Sequence, residues 1–142
     1  MSDLNASFEA GEADAIAQGL TVLTAQPNQL FIDLDSDDAW LVFQQRFAFC
    51  QRHEENGSPA LHVSAQWWSR SGRPHRHIVL ESRCTWTVEQ QIMWQALLGS
   101  DPIKEYLTLL RYYAGIMRPI RLFQPPNPHD TDWYSREDEF LF

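Results

Sequence analysis

Between Asn28 and Cys50 the hydrophobic period of the chain changes once, at Ser36. In "NQLFIDLDS", Leu30, Ile32 and Leu34 alternate with Phe31, Asp33 and Asp35, which is the two-residue period of a half-buried strand. Beyond Ser36, Trp40, Phe43, Phe47 and Cys50 recur at three- and four-residue steps, the period of a helix with one apolar face. Ser36 suits the N-cap, and Asp37 and Asp38 suit the positive end of the helix. A strand that feeds straight into a helix excludes purely helical and purely β folds. It also places Asp33 and Asp35 together on the strand face opposite Leu30, Ile32 and Leu34.

The rest of the chain extends this pattern. "ALHVSAQWW" and "RHIVLES" read as two strands flanking a turn punctuated by Gly72 and Pro74. Thr87 and Gln90 form a capping box for a helix through Leu98, which Gly99 ends. A second helix runs from Pro102 to about Tyr113, and "RPIRLF" supplies a last strand, with an additional strand at 20–24. The order strand, helix, strand, strand, helix pair, strand predicts an α+β fold, a ferredoxin-like or palm-type antiparallel sheet with its helices on one face. In that topology the strand of Asp33 lies beside the strand that begins at Arg76. His77 and Glu81 then share the open face with the two aspartates. The expected organisation is an acidic N-terminal segment at 1–18, a palm-like domain at 19–124 and an acidic tail at 125–142.

With 142 residues and 44% apolar composition, one domain with a buried core is the expectation. No apolar stretch reaches the length of a membrane span, which predicts a soluble, cytoplasmic chain with no membrane partner. Cys50 and Cys84 are too few for a disulfide framework or a paired-cysteine zinc site. A formal charge of −8 argues against a nucleic-acid binder at first sight. The distribution of charge changes that conclusion. Residues 1–14 hold four acids and no Lys or Arg, and residues 129–142 hold five acids against Arg136, so the remaining ten acids and ten bases balance between 15 and 128. Within that neutral middle, "SRSGRPHRH" gathers Arg70, Arg73 and Arg76 with His75 and His77.

Several residues there carry chemistry. Asp33 and Asp35, one residue apart on a strand, offer the hard oxygen ligands that Mg²⁺ or Mn²⁺ takes together with substrate phosphates. The same acids also suit a plain strand end leading into a helix. His75 and His77 share one side of the following strand and can hold a phosphate or a metal; Arg73 and Arg76 can bind phosphate oxygens bidentately. Ser69, Ser71 and Gly72 bring backbone N–H groups toward a phosphate, although an ordinary hairpin turn uses the same residues. Asp101, before Pro102, is an N-cap by its position, and a third metal carboxylate by its chemistry.

Taken together, "FIDLD", "SRSGRPH" followed by "RHIVLE", and the later "LGSD" resemble the three motifs of archaeo-eukaryotic-type primases and primase-polymerases. The resemblance covers residues 29–123. It implies Asp33 and Asp35 as metal ligands, His75 or His77 as the histidine on the nucleotide phosphates, and Asp101 as a third ligand. It further implies a phage or plasmid replication protein that takes nucleoside triphosphate, Mg²⁺ or Mn²⁺, and single-stranded DNA. The family's turn has one more residue between Ser-Gly and His than "SGRPH" has, which leaves His75 and His77 as alternatives. A second reading starts from "PHRHIVL", which resembles the His-x-His strand of rolling-circle nicking endonucleases, with Tyr106, Tyr112 or Tyr113 as nucleophile. A third is a non-catalytic phage accessory protein that binds a partner through its acidic ends. The C-terminal "SREDEFLF" resembles the acidic, phenylalanine-ended tips of single-stranded-DNA-binding proteins. In that reading Phe140 and Phe142 enter an apolar pocket of a replication protein while Glu137, Asp138 and Glu139 meet a basic rim.

Overall fold

A computed structural model describes residues 2–126. Helix α1 (Ser2–Ala17) is followed by strands β1 (Thr21–Thr24) and β2 (Gln29–Leu34), helix α2 (Asp37–Arg52), and strands β3 (Leu61–Trp68) and β4 (Arg76–Ser82). Helices α3 (Val88–Leu97) and α4 (Pro102–Tyr113) then lead to strand β5 (Arg121–Gln124). The fold is α+β with two small antiparallel sheets, one in the order β2-β4-β3 and the other formed by β1 and β5. The tail residues Phe140 and Phe142, with Glu137, Asp138 and Glu139, lie outside the described residues.

Local chemistry sets the helix ends where the sequence places them. The Ser36 side chain accepts from Ala39 N, Thr87 and Gln90 form a reciprocal capping box, and Asp101 accepts from Ile103 N with Pro102 in the first turn. In the three-stranded sheet, Leu30, Ile32 and Leu34 join Ile78, Leu80 and Leu61 against Trp40, Phe43, Phe47 and Cys50 of α2.

The opposite face departs from the expected architecture. Phe31, Val79 and Trp67 form a second core there with Ile92 of α3 and with Ile120 and Leu122, so that face is covered rather than open. Its cover is the β1–β5 ribbon, in which Leu23 stands opposite Leu122. The last strand therefore pairs with the additional strand, not with β2. The physical reason is the face itself: three large apolar side chains beside Asp33 and His77 gain more from an apolar lid than from water.

The segment expected as an acidic extension is helix α1. Its inward positions Leu4, Phe8, Gly11, Glu12 and Ala15 recur at helical spacing and are half-buried or buried. Arg121 of β5 fixes it, donating to Phe8 O at 2.7 Å and lying 3.3 Å from Glu12 Oε1. The guanidinium passes so close that a Cβ at Gly11 would sit 2.9 Å from Arg121 Nη2. Among the described residues, no helix is long and apolar enough to cross a membrane.

Candidate functional site

β2 is an edge strand, and its outer edge is held by side chains. Phe31 N donates to Gln95 Oε1 at 2.8 Å, Asp33 N donates to Ser100 Oγ at 2.9 Å, and Gln91 Nε2 donates to Gln29 O at 2.8 Å. Asp101 N closes the row by donating to Asp33 O at 2.8 Å. These bonds fix the α3–α4 turn beside Asp33 and so set the position of α4 relative to the strand.

On the inner edge, Asp33 stands opposite His77 in the β2–β4 register, and His77 stands opposite Trp67 of β3. His77 Nε2 lies 3.5 Å from Asp33 Oδ1, and Lys104 Nζ lies 3.7 Å from Asp33 Oδ2. The Trp67 ring meets the imidazole edge-on at 5.7 Å. Burial opposes ionisation of Asp33, but the hydrogen bond to His77 and the positive charges of Lys104, His77 and His75 outweigh it. The carboxyl is held below its ordinary value.

One step outward, the exposed Asp35 carboxylate lies 3.4 Å from His75 Nδ1. Partial burial, a hydrogen bond with Asp101 and the negative charge of Asp33 raise the Asp35 carboxyl above its ordinary value. The sequence alternatives His75 and His77 thus face different aspartates. Asp101 acts as a helix cap and also as the neighbour of Asp35.

The turn is compact. Ser69 N donates to His75 O, Gly72 N donates to Ser69 O, and Ser69 Oγ lies 2.8 Å from Ser71 Oγ. Gly72 has φ +76°, a conformation that glycine adopts without steric cost. Ser69, Arg70 and Ser71 line a groove of about 320 Å³ with Asp14 of α1 and Gln18 just beyond it, and His77 and Phe123 also form part of its wall. The two arginines expected to bind phosphate go elsewhere. The Arg73 guanidinium lies 4.8 Å from the centre of a Trp68 ring. Arg76 is only 4% exposed, its guanidinium stacked 4.2 Å from a Trp40 ring and 4.3 Å from a Trp68 ring.

A second cavity, of about 190 Å³, opens behind Asp33 and His77 and is lined by Lys104, Thr108 and Arg111 of α4 and by Arg121. Arg111 is one of the residues at the end of the last helix that the sequence offers as facing the site, whereas Lys104, Thr108 and Arg121 are not singled out by it, although Lys104, Thr108 and Arg111 stand at the i, i+4, i+7 spacing of one helix face. Tyr106, Tyr112 and Tyr113 line neither cavity. Tyr113 points to α3, where its hydroxyl donates to Glu89 Oε2 at 2.7 Å. Among the described residues, no group of three or more His, Cys, Asp or Glu side chains is arranged to hold a metal ion.

No protein-family model matches the chain, and comparison with curated proteins and with solved structures returned no match.

Proposed function

We propose that the chain binds a nucleoside triphosphate along the row Asp33–His77 and Asp35–His75, as a primase-polymerase-like nucleotidyl transferase or nucleotide-binding replication protein of the cytoplasm. The observation that carries this reading is the register. Two segments forty or more residues apart meet as two carboxylate–imidazole pairs, Asp33–His77 on adjacent strands and Asp35–His75 just past the strand ends, with the serine turn at one side. Single-stranded DNA and a replication protein at Phe140 and Phe142 belong to the same reading.

The carboxylates fit a divalent ion unequally. Both oxygens of Asp33 already face positive or protonatable groups, His77 and Lys104. Asp35 and Asp101 are neighbouring carboxyls, and Asp35 faces His75 rather than a lysine. They fit Mg²⁺ or Mn²⁺ arriving with a triphosphate, because such ions accept one or two carboxylates beside phosphate oxygens and waters. When bound, the ion supplies charge neutralisation and activation of the attacking hydroxyl. His77 orients Asp33 and offers a hydrogen bond to a phosphate oxygen, and Trp67 fixes the imidazole plane.

Titration calorimetry with each nucleotide, with and without Mn²⁺, tests the reading. His77→Ala is expected to weaken nucleotide binding by about 10- to 100-fold, the range of a charge-assisted hydrogen bond. Primer synthesis on single-stranded template is expected to vanish in Asp33→Ala and to survive Tyr106→Phe, Tyr112→Phe and Tyr113→Phe. Absence of nucleotide binding by the wild-type chain would overturn the proposal. A protein–DNA adduct lost in one tyrosine variant would replace it with the nicking reading.

A further inference from the structure

The cavity behind Asp33 presents donors without acceptors. Lys104 Nζ and Arg111 Nε are buried donors that make no hydrogen bond within the described structure, and His77 Nδ1 is a buried ring nitrogen that also makes none; with Nε2 turned to Asp33, it donates only as the imidazolium. All three side chains line the same space of about 190 Å³. A buried donor left unmet is destabilising, and more so when it is charged. Two such donors and an unpartnered imidazole nitrogen on one space are an arrangement that folding alone does not favour.

The charges point the same way. Lys104, Arg111 and Arg121 bring three cationic groups to the wall, whereas Asp33 is the carboxylate lining it. Glu12 and Phe8 O engage Arg121 from the α1 side, and the Phe8 ring covers the Arg121 and Arg111 guanidiniums at 3.7 and 5.3 Å. These contacts hold both guanidiniums in place, and Lys104 faces Asp33 at 3.7 Å, which leaves Arg111 as the charge with no carboxylate partner among the described residues. Burial lowers the Arg111 value from its ordinary one, as expected for a cation lacking a close counter-ion.

We propose that this cavity is an oxyanion site for a phosphate group, with Lys104 and Arg111 as its donors, the His77 imidazolium as a third when the ring is protonated, and Arg121 as a charged wall. A tetrahedral phosphate presents several acceptor oxygens in different directions and satisfies donors arriving from α4 and β4 at once. Water fills space but brings no counter-charge, and the space exceeds the roughly 30 Å³ that one water occupies in the liquid. The phosphate has two chemical sources, a free inorganic ion or the phosphoryl end of a nucleotide. As a nucleotide subsite the assignment rests on the function proposed above, and as a phosphate site it stands independently.

The experiment titrates the full chain by calorimetry and by thermal unfolding with inorganic phosphate, tripolyphosphate and a nucleoside triphosphate, with acetate as the control anion. Phosphate and tripolyphosphate are expected to bind and to raise Tm, and acetate is expected to do neither. Arg111→Met and Lys104→Gln are each expected to weaken phosphate binding by at least about 10-fold, the loss of one charge-assisted bond. Arg118→Gln, an exposed change outside the cavity, is expected to leave it unaltered. Arg111→Met removes a half-buried charge with no carboxylate partner among the described residues while keeping an apolar chain against Phe8, so its ligand-free Tm is expected to equal or exceed that of wild type, which separates loss of binding from loss of fold. Phosphate binding without nucleotide binding would keep the site and remove the nucleotide reading. Nucleotide binding unchanged in both variants would keep that reading and overturn the cavity as its phosphate subsite, and equal phosphate affinity in wild type and Arg111→Met would overturn the site itself. Binding of neither anion would overturn both.

Discussion

Glu105 stands one residue beyond Lys104 on α4 but faces the interior, where it is 3% exposed and accepts from Gln95 Nε2 at 2.7 Å. Burial raises its carboxyl from 4.5 to about 7, against the opposing effects of the Lys104 charge and of hydrogen bonds from Ser100 and Gln95. The folded chain therefore holds this proton through a range in which the unfolded chain has released it. The resulting stability is fully present below about pH 4.5, falls as pH rises toward 7, and changes no further above that. The size of the fall is on the order of 3 kcal/mol. Glu105→Gln keeps the acceptor for Gln95 and removes the titration. Urea midpoints measured from pH 4.5 to 8 are expected to decline for wild type and to run flat through that window for the variant. Asp33 acts with the opposite sign. Its lowered value contributes stability at neutral pH that is lost as acid protonates it, so the two carboxyls pull the pH optimum from opposite sides.

Among the elements, β2 shows how an exposed sheet edge is protected without a further strand. Gln91, Gln95, Ser100 and Asp101 supply the hydrogen bonds that a neighbouring strand would otherwise provide. Gln95 does so while also donating to Glu105, so Gln95→Leu leaves Phe31 N and the Glu105 carboxyl without their partner. A loss of about 2–5 kcal/mol is expected from two buried groups left unmet, read as a lower denaturant midpoint with an unchanged slope. Much of this level was legible in the sequence because its causes are local. Ser36, Thr87 with Gln90, and Asp101 cap their helices through contacts two or three residues away, and the alternation around Asp33 fixed which residues share its face. The opposition of Asp33 and His77 followed from that alternation once the two strands were neighbours. Helix α1 was not legible. Its inward stripe includes Gly11 and Ala15, which are too small to stand out against the acids around them. Nor was the partner of β5, since a four-residue strand carries no local mark of what it pairs with. The convergence of Lys104, Arg111 and Arg121 depends on how α4 is set against β2, and no sequence spacing encodes that.

At the scale of the molecule, the β1–β5 ribbon joins residues 21–24 to 121–124 and covers Phe31, Val79 and Trp67. Closing a loop of that length costs on the order of 4 kcal/mol of chain entropy before any contact offsets it. The three-stranded sheet with α2 needs no such closure, and it has contacts enough to organise first. Leu122→Ala is therefore expected to accelerate unfolding and to leave the folding rate nearly unchanged, which stopped-flow measurements of both arms in urea would reveal. Equal slowing of folding would place the ribbon in the nucleus instead. The Trp67 indole donates to Phe123 O at 3.2 Å, so its fluorescence reports the arrival of the last strand. During translation the same order has a cellular cost. A ribosome that has not yet released residue 121 carries a nascent sheet whose face of Phe31 and Trp67 lacks the cover that β5 later supplies.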